Sequence, residues 1–124
     1  NDTIDILDAK VVNFGIDFVI RSTLGTQKYD VLRRCAVALG NAYDRKMEIG
    51  ESLSINDIYQ LLNGVSGVVD VIQVRIINKY GSGYSNVSYS MVDNMNKDGT
   101  RINVPKNVVF ELKYPSSDIR GTVK

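Results

Sequence analysis

Val12, Phe14, Ile16, Phe18 and Ile20 alternate with Asn13, Gly15, Asp17, Val19 and Arg21. A period of two sends successive side chains to opposite faces, so residues 9–21 are predicted to form a strand with one buried face. A turn follows at Thr23-Leu24-Gly25-Thr26, where glycine supplies backbone freedom. The period then lengthens. Leu32, Cys35, Ala36, Leu39 and Tyr43 recur at spacings of three and four, while Arg33, Arg34, Asn41, Asp44 and Arg45 fall on the other side. This predicts an amphipathic helix over residues 28–46. A second helix is predicted after Ser54, which has Asp57 three residues on, a variant of the capping box with a shorter acid. Its apolar positions are Ile55, Ile58, Leu61 and Leu62, and Gly64 offers its stop.

Gly67 opens a run rich in β-branched residues, in which Val68, Ile72, Val74 and Ile76 are assigned to one face. Val69, Val71 and Ile77 make the other face apolar as well, which predicts an interior strand or a sheet covered on both sides. Residues 78–100 change character, being rich in Ser, Gly, Asn and Tyr, and are read as a projecting hairpin or loop. Its outgoing strand is predicted around Val87, Tyr89 and Met91, its turn at Asn96-Lys97-Asp98-Gly99 and its return over residues 101–104. Val108, Phe110, Leu112 and Tyr114 alternate in a last strand bracketed by Pro105 and Pro115. The expected fold is α+β: two amphipathic helices packed on a small mixed or antiparallel sheet, in the order β-α-α-β-β-β. Residues 1–8, with Asp2, Asp5 and Asp8, read as an acidic linker rather than a metal series, because the EF-hand spacing and glycine are missing. Residues 9–115 read as a single assembly domain, and 116–124 as a polar tail.

Composition narrows the function classes. At 124 residues there is room for one core, and a formal net charge of +1 provides no global field to recruit nucleic acid or an anionic membrane. Cys35 is the only cysteine, so no internal disulfide or CxxC pair exists, and the thiol is expected to be buried and structural in a reducing compartment. No apolar run reaches the roughly 20 residues that cross a bilayer, and no secretory pattern opens the chain, so a soluble protein is expected. The start at Asn1 rather than methionine is read as a fragment of a longer polypeptide. There is no histidine, which removes Ser-His-Asp and Cys-His mechanisms and most zinc sites. Asp17, Glu48, Glu51, Asp57 and Asp70 show no converging pattern for a carboxylate enzyme. Gly81-Ser82-Gly83 has neither the length nor the following helix of a phosphate loop, and Asn86-Val87-Ser88 is read as a chance sequon. No catalytic residue, metal or cofactor is expected.

Tyr80, Tyr84 and Tyr89 are interspersed with Gly, Ser and Asn, a mixture of rigid aromatic contacts and adaptable hydrogen bonds found in protein interfaces. With Arg33 and Arg34 of the first helix, they are the candidate interface residues. A mobile loop, or a stacking surface for single-stranded nucleic acid, are the other readings of the same tyrosines, the latter requiring a basic groove that Lys79 and Lys97 alone do not make.

The ordered series from Tyr29 to Ile76 carries a family resemblance. A helix is followed by Ile49-Gly50-Glu51-Ser52-Leu53, then by Ser54-Ile55-Asn56-Asp57-Ile58-Tyr59 opening a short helix, then by Gly64-Val65-Ser66-Gly67-Val68-Val69-Asp70-Val71 entering a strand. This series resembles the carboxy-terminal part of the baseplate J-like family of contractile-tailed phages, and the segment 107–114 resembles its T-even members. The resemblance implies a virion structural protein, assembled in the host cytoplasm, whose copies associate with one another and with other baseplate wedge proteins. It implies no catalytic residue. The tyrosine-rich stretch departs from the family pattern.

Overall fold

The computed structural model describes residues 10–44 and 47–124. The acidic linker expected over residues 1–8, and the end of the first predicted helix at Arg45 and Lys46, lie outside the described residues. The elements run β1 (Lys10–Ser22), α1 (Lys28–Ala42), β2 (Leu53–Ser54), α2 (Ile55–Asn63), β3 (Val68–Lys79), β4 (Arg101–Ile102), β5 (Val108–Glu111), the one-turn helix α3 (Pro115–Asp118) and β6 (Ile119–Val123).

The architecture is mixed α+β and is organised around β1. On one side β1 pairs antiparallel with β3. On the other it is parallel to two strands in succession, β5 along residues 10–13 and β6 along residues 16–20. Val12, Phe14, Ile16, Phe18 and Ile20 are buried, as the alternation predicts. The helices close over this face. Val31, Cys35 and Leu39 of α1, and Ile55, Ile58 and Leu62 of α2, are buried in the same cluster. α1 packs against β6, α2 against β3, and the two helices touch. Phe14 meets Tyr43 and Phe110 edge to face at 5.8 and 6.0 Å, and Phe110 meets Tyr89 in the same way at 6.1 Å. Such ring pairs contribute about 0.5–1.5 kcal/mol each beyond the area they bury.

α2 begins as predicted, with the Ser54 hydroxyl accepting from the Asp57 amide at 3.2 Å. Its cap at Gly64 keeps an ordinary right-handed backbone, and the left-handed position is Gly67, with φ +97°. Cβ at Gly67 would lie 2.8 Å from Val31 Cγ2, so the turn into β3 also needs glycine for space. α1 is shorter than expected. Its last cap bond runs from the Tyr43 amide to the Leu39 carbonyl, and Tyr43 turns its ring onto Phe14.

Four expectations are corrected. β3 is an edge strand, not an interior one, since β1 is its one partner in the sheet, and two irregularities in their register leave Ile72 and Val69 without partners. Each inserted residue resets the alternation, so Val71 rather than Ile72 lies opposite Ile20, and Val69 and Ile72 are 55% and 37% exposed. Residues 80–100 do not project; they fold back as a strap on the sheet. The return strand β4 pairs with β2, Leu53 opposite Ile102, and not with residues 87–91, although Asn96–Gly99 does make the expected turn. The expected polar tail contains β6. Ile119, Gly121 and Val123 lie opposite Ile16, Phe18 and Ile20, so the apolar alternation of a strand is present but interrupted by glycine. The Phe18 ring fills the space above Gly121.

That packing is testable. A Cβ at Gly121 would overlap the edge of the Phe18 ring and press on Leu32 Cδ2 at 2.9 Å. Overpacking of this kind costs roughly 1–3 kcal/mol. Gly121→Ala is therefore expected to lower the unfolding free energy by that amount, read as a lower urea midpoint at unchanged slope; an unchanged midpoint would show that β6 is not packed against Phe18.

Candidate interaction surface

The strap is held by a polar network that starts from a buried asparagine in the middle of the sheet. Asn13 is 1% exposed. Its amide nitrogen donates to Glu111 Oε1 at 2.7 Å, and its Oδ1 accepts from the Ser85 amide at 2.7 Å. Asn78 extends the network, donating to the Asn13 carbonyl at 3.1 Å and accepting from the Tyr89 amide at 2.7 Å. A second anchor lies beside it. The Tyr84 hydroxyl donates to Asp118 Oδ1 at 2.8 Å, the Tyr114 hydroxyl donates to the Gly83 carbonyl at 2.9 Å, and the two rings meet edge to face at 5.3 Å. Asp118 is 3% exposed, and its Oδ2 has no hydrogen-bond partner among the described residues.

The predicted interface residues are thereby separated. Tyr84 and Tyr89 point into the body, Tyr89 packing on Phe110 and donating its hydroxyl proton to the Asn103 carbonyl. Tyr80 is exposed at 60%. Arg33 pairs with Asp30 one turn earlier on α1, and Arg34 donates to the Ser66 carbonyl at 3.0 and 3.2 Å, tying α1 to the turn before β3. Sequence reasoning missed Asn13, Asn78 and Asp118. Asn13 occupies a position that alternation assigns to the polar face, and Asp118 stands in a segment with few apolar residues, so neither carries a signal of burial.

Further exposed apolar groups lie on and before α1. Tyr29 and Val37, two turns apart on α1, are 83% and 54% exposed with Arg33 between them. Leu24, in the turn before α1, is fully exposed.

The sheet ends in β3 on one side and in β5 and β6, one after the other, on the other side, and the edges of β3 and β5 differ. Along β3, the inserted Val69 and Ile72 interrupt the regular edge, and the Val74 amide donates to the Tyr59 hydroxyl of α2 at 3.2 Å. Along β5, the Lys10 amide donates to the Asn107 carbonyl and the Gly50 amide to the Val108 carbonyl, both at 2.7 Å. In a parallel ladder, alternate residues turn both backbone groups to the same side. Phe110 and Leu112 therefore turn theirs outward like Val108, and these have no hydrogen-bond partner among the described residues. A groove of about 480 Å³ follows this edge, with Asp44, Met47 and Ile49 on one wall and Pro115 at its end.

Among the described residues, no group of three or more His, Cys, Asp or Glu side chains is placed to hold a metal ion. Cys35 is fully buried in the core, and burial pushes its thiol up to about 11, against the weaker opposing effect of Arg34. At neutral pH it is a protonated, packed side chain. No helix of the described residues is long and apolar enough to cross a membrane.

Two predictions test the strap. Asn13→Ala removes the acceptor of the Ser85 amide and the donor to Glu111, and stranding such groups costs about 1–3 kcal/mol; faster hydrogen exchange at Ser85 checks it, and unchanged exchange contradicts it. The second concerns alkaline pH. The hydrogen bond to Asp118, then burial, then the Asp118 charge raise the Tyr84 pKa, while burial raises that of Tyr89. The fold favours the neutral phenols, so their contribution is complete below the ordinary tyrosine value of about 10 and is lost as pH rises through the raised values. Absorbance titration is expected to show two late-ionising tyrosines, and Asp118→Asn to bring Tyr84 back towards the ordinary value; a titration with every tyrosine near 10 would contradict this. No protein-family model matches this chain, and no curated protein matches it.

Proposed function

We propose that this chain is a non-enzymatic assembly module of a contractile phage tail baseplate, residing in the virion. In this reading it associates with other copies of itself and with other baseplate wedge subunits to build the ring around the hub. The observation that carries the reading is the ordered series from Tyr29 to Ile76 and its resemblance to the baseplate J-like family. Physical support comes from the outer side of α1, where Tyr29 and Val37 leave large apolar side chains in water while Val31, Cys35 and Leu39 fill the core from the opposite side. Exposed aromatic and aliphatic groups beside an arginine are the usual material of protein interfaces. The reading of the tyrosine-rich stretch as a stacking surface for single-stranded nucleic acid draws less support, because the Tyr84 and Tyr89 rings are occupied by Tyr114 and Phe110.

Light scattering and sedimentation test the proposal. The chain, alone and mixed with neighbouring wedge subunits, is expected to form dimers or hetero-complexes, and Tyr29→Ser with Val37→Ser to weaken them at least tenfold while leaving the melting temperature nearly unchanged. Strict monomer behaviour at high concentration, with no binding to any wedge subunit, would overturn it.

A further inference from the structure

We propose that the outer edge of β5 is a strand-addition site. It takes one extended segment of another polypeptide, apolar at alternate positions and carrying a basic side chain for Asp44. The inference rests on the assembly reading and deepens it by naming the form of the partner.

The backbone supplies the first argument. Phe110 and Leu112 turn their peptide groups outward with no hydrogen-bond partner among the described residues, while their side chains are 1% and 8% exposed and anchor the strand from behind. An edge held rigid in this way is a template for a further strand, because little ordering remains to be done on its side. The opposite edge of the sheet lacks this property, with its two inserted residues and the Tyr59 hydroxyl on Val74.

The groove selects the occupant. Its volume of about 480 Å³ falls within the roughly 300–1,000 Å³ over which proteins hold bound ligands. Met47 and Ile49 line the groove along the edge, and a single extended chain is the occupant proposed for it. A second copy pairing its own β5 edge here would bring a second wall with it. With Phe110 opposite Leu112 about a two-fold axis, it would also set Glu111 against its own counterpart, and like charges directly opposite are destabilising. An isolated segment avoids both. Its alternate side chains would meet Met47, Ile49 and Leu112 and must be apolar. Lys113 also lines the groove, but its ammonium lies over the Tyr114 ring at 5.4 Å, whereas Asp44 is exposed and has no ion-pair partner among the described residues, so the complementary charge is Lys or Arg. Proline is excluded wherever the segment must donate to the edge.

The experiment is amide hydrogen exchange by NMR on the whole chain. The probe is an end-blocked octapeptide alternating valine and threonine with one central arginine. At saturating probe, the Phe110 and Leu112 amides are expected to exchange at least tenfold more slowly, and of the two peptides N-methylated on the two alternate sets of amides only one is expected to keep this protection. Asp44→Arg and Ile49→Asp are expected to weaken the probe about tenfold at unchanged melting temperature. Unaltered exchange at both amides, or equal protection by both N-methylated peptides, overturns the proposal. If the chain binds wedge subunits or itself while these two amides exchange as before, strand addition fails and the assembly reading stands. If the probe protects them but no subunit binds, strand addition stands and the assembly reading fails.

Discussion

A strand inside a sheet must satisfy its peptide groups through the neighbours on either side, since water does not reach them. In this protein that strand is β1, and the demand is met by three partners. β3 serves one side, while β5 and β6 divide the other. The division explains the one-turn helix α3. α3 carries the chain past Gly15, and the Asp118 carbonyl at its end lies 2.8 Å from where a Cβ of Gly15 would be. The chain steps out through α3 after Glu111 and returns as β6 three residues further along β1, with Ile16 opposite Ile119.

The same constraint accounts for the strap. β3 reaches only as far as Asn13, so the first residues of β1 lack a neighbour on that side. Asn13 and Asn78 bond residues 85 and 89 at this point, so the strap covers the opening that the shorter strand leaves. A buried amide with both its donor and its acceptor satisfied fixes one arrangement of the chain, because every slipped alternative strands at least one of them. Tyr89 then joins the line of rings from Tyr43 through Phe14 and Phe110, connecting α1, the sheet and the strap in one packed unit.

What was legible in the sequence follows from how much of each element is specified locally. β1, α1 and α2 declare themselves because their burial is one-sided and their periods are uninterrupted, and the Ser54 cap needs only three residues to be recognised. β3 was read as a strand but assigned the wrong position in the sheet, since an inserted residue flips the pattern without changing composition. β6 was invisible for a different reason. Its middle inward position is Gly121, and the apolar surface that belongs there is supplied by Phe18 from another strand. The tyrosines of the strap were recognised as contact-making residues, but sequence alone does not distinguish a contact with a partner from one within the chain. Tyr84 and Tyr89 make theirs with Asp118 and Phe110.

The two sheet edges show how function and negative constraint share one fold. A bare edge is a hazard, because its free peptide groups accept any strand that meets them. β3, at 12 residues, is the longer hazard, and it carries the devices that close an edge: inserted residues that break its regularity and a hydroxyl that occupies an amide. β5, at 4 residues, is short enough to be tolerated without them. Met47 and Ile49 line the groove beside it, and the Gly50 amide already occupies the Val108 carbonyl at one end. The asymmetry is one of regularity: the long edge of β3 is interrupted by two inserted residues and by the Tyr59 hydroxyl on the Val74 amide, and the short edge of β5 carries no such interruption.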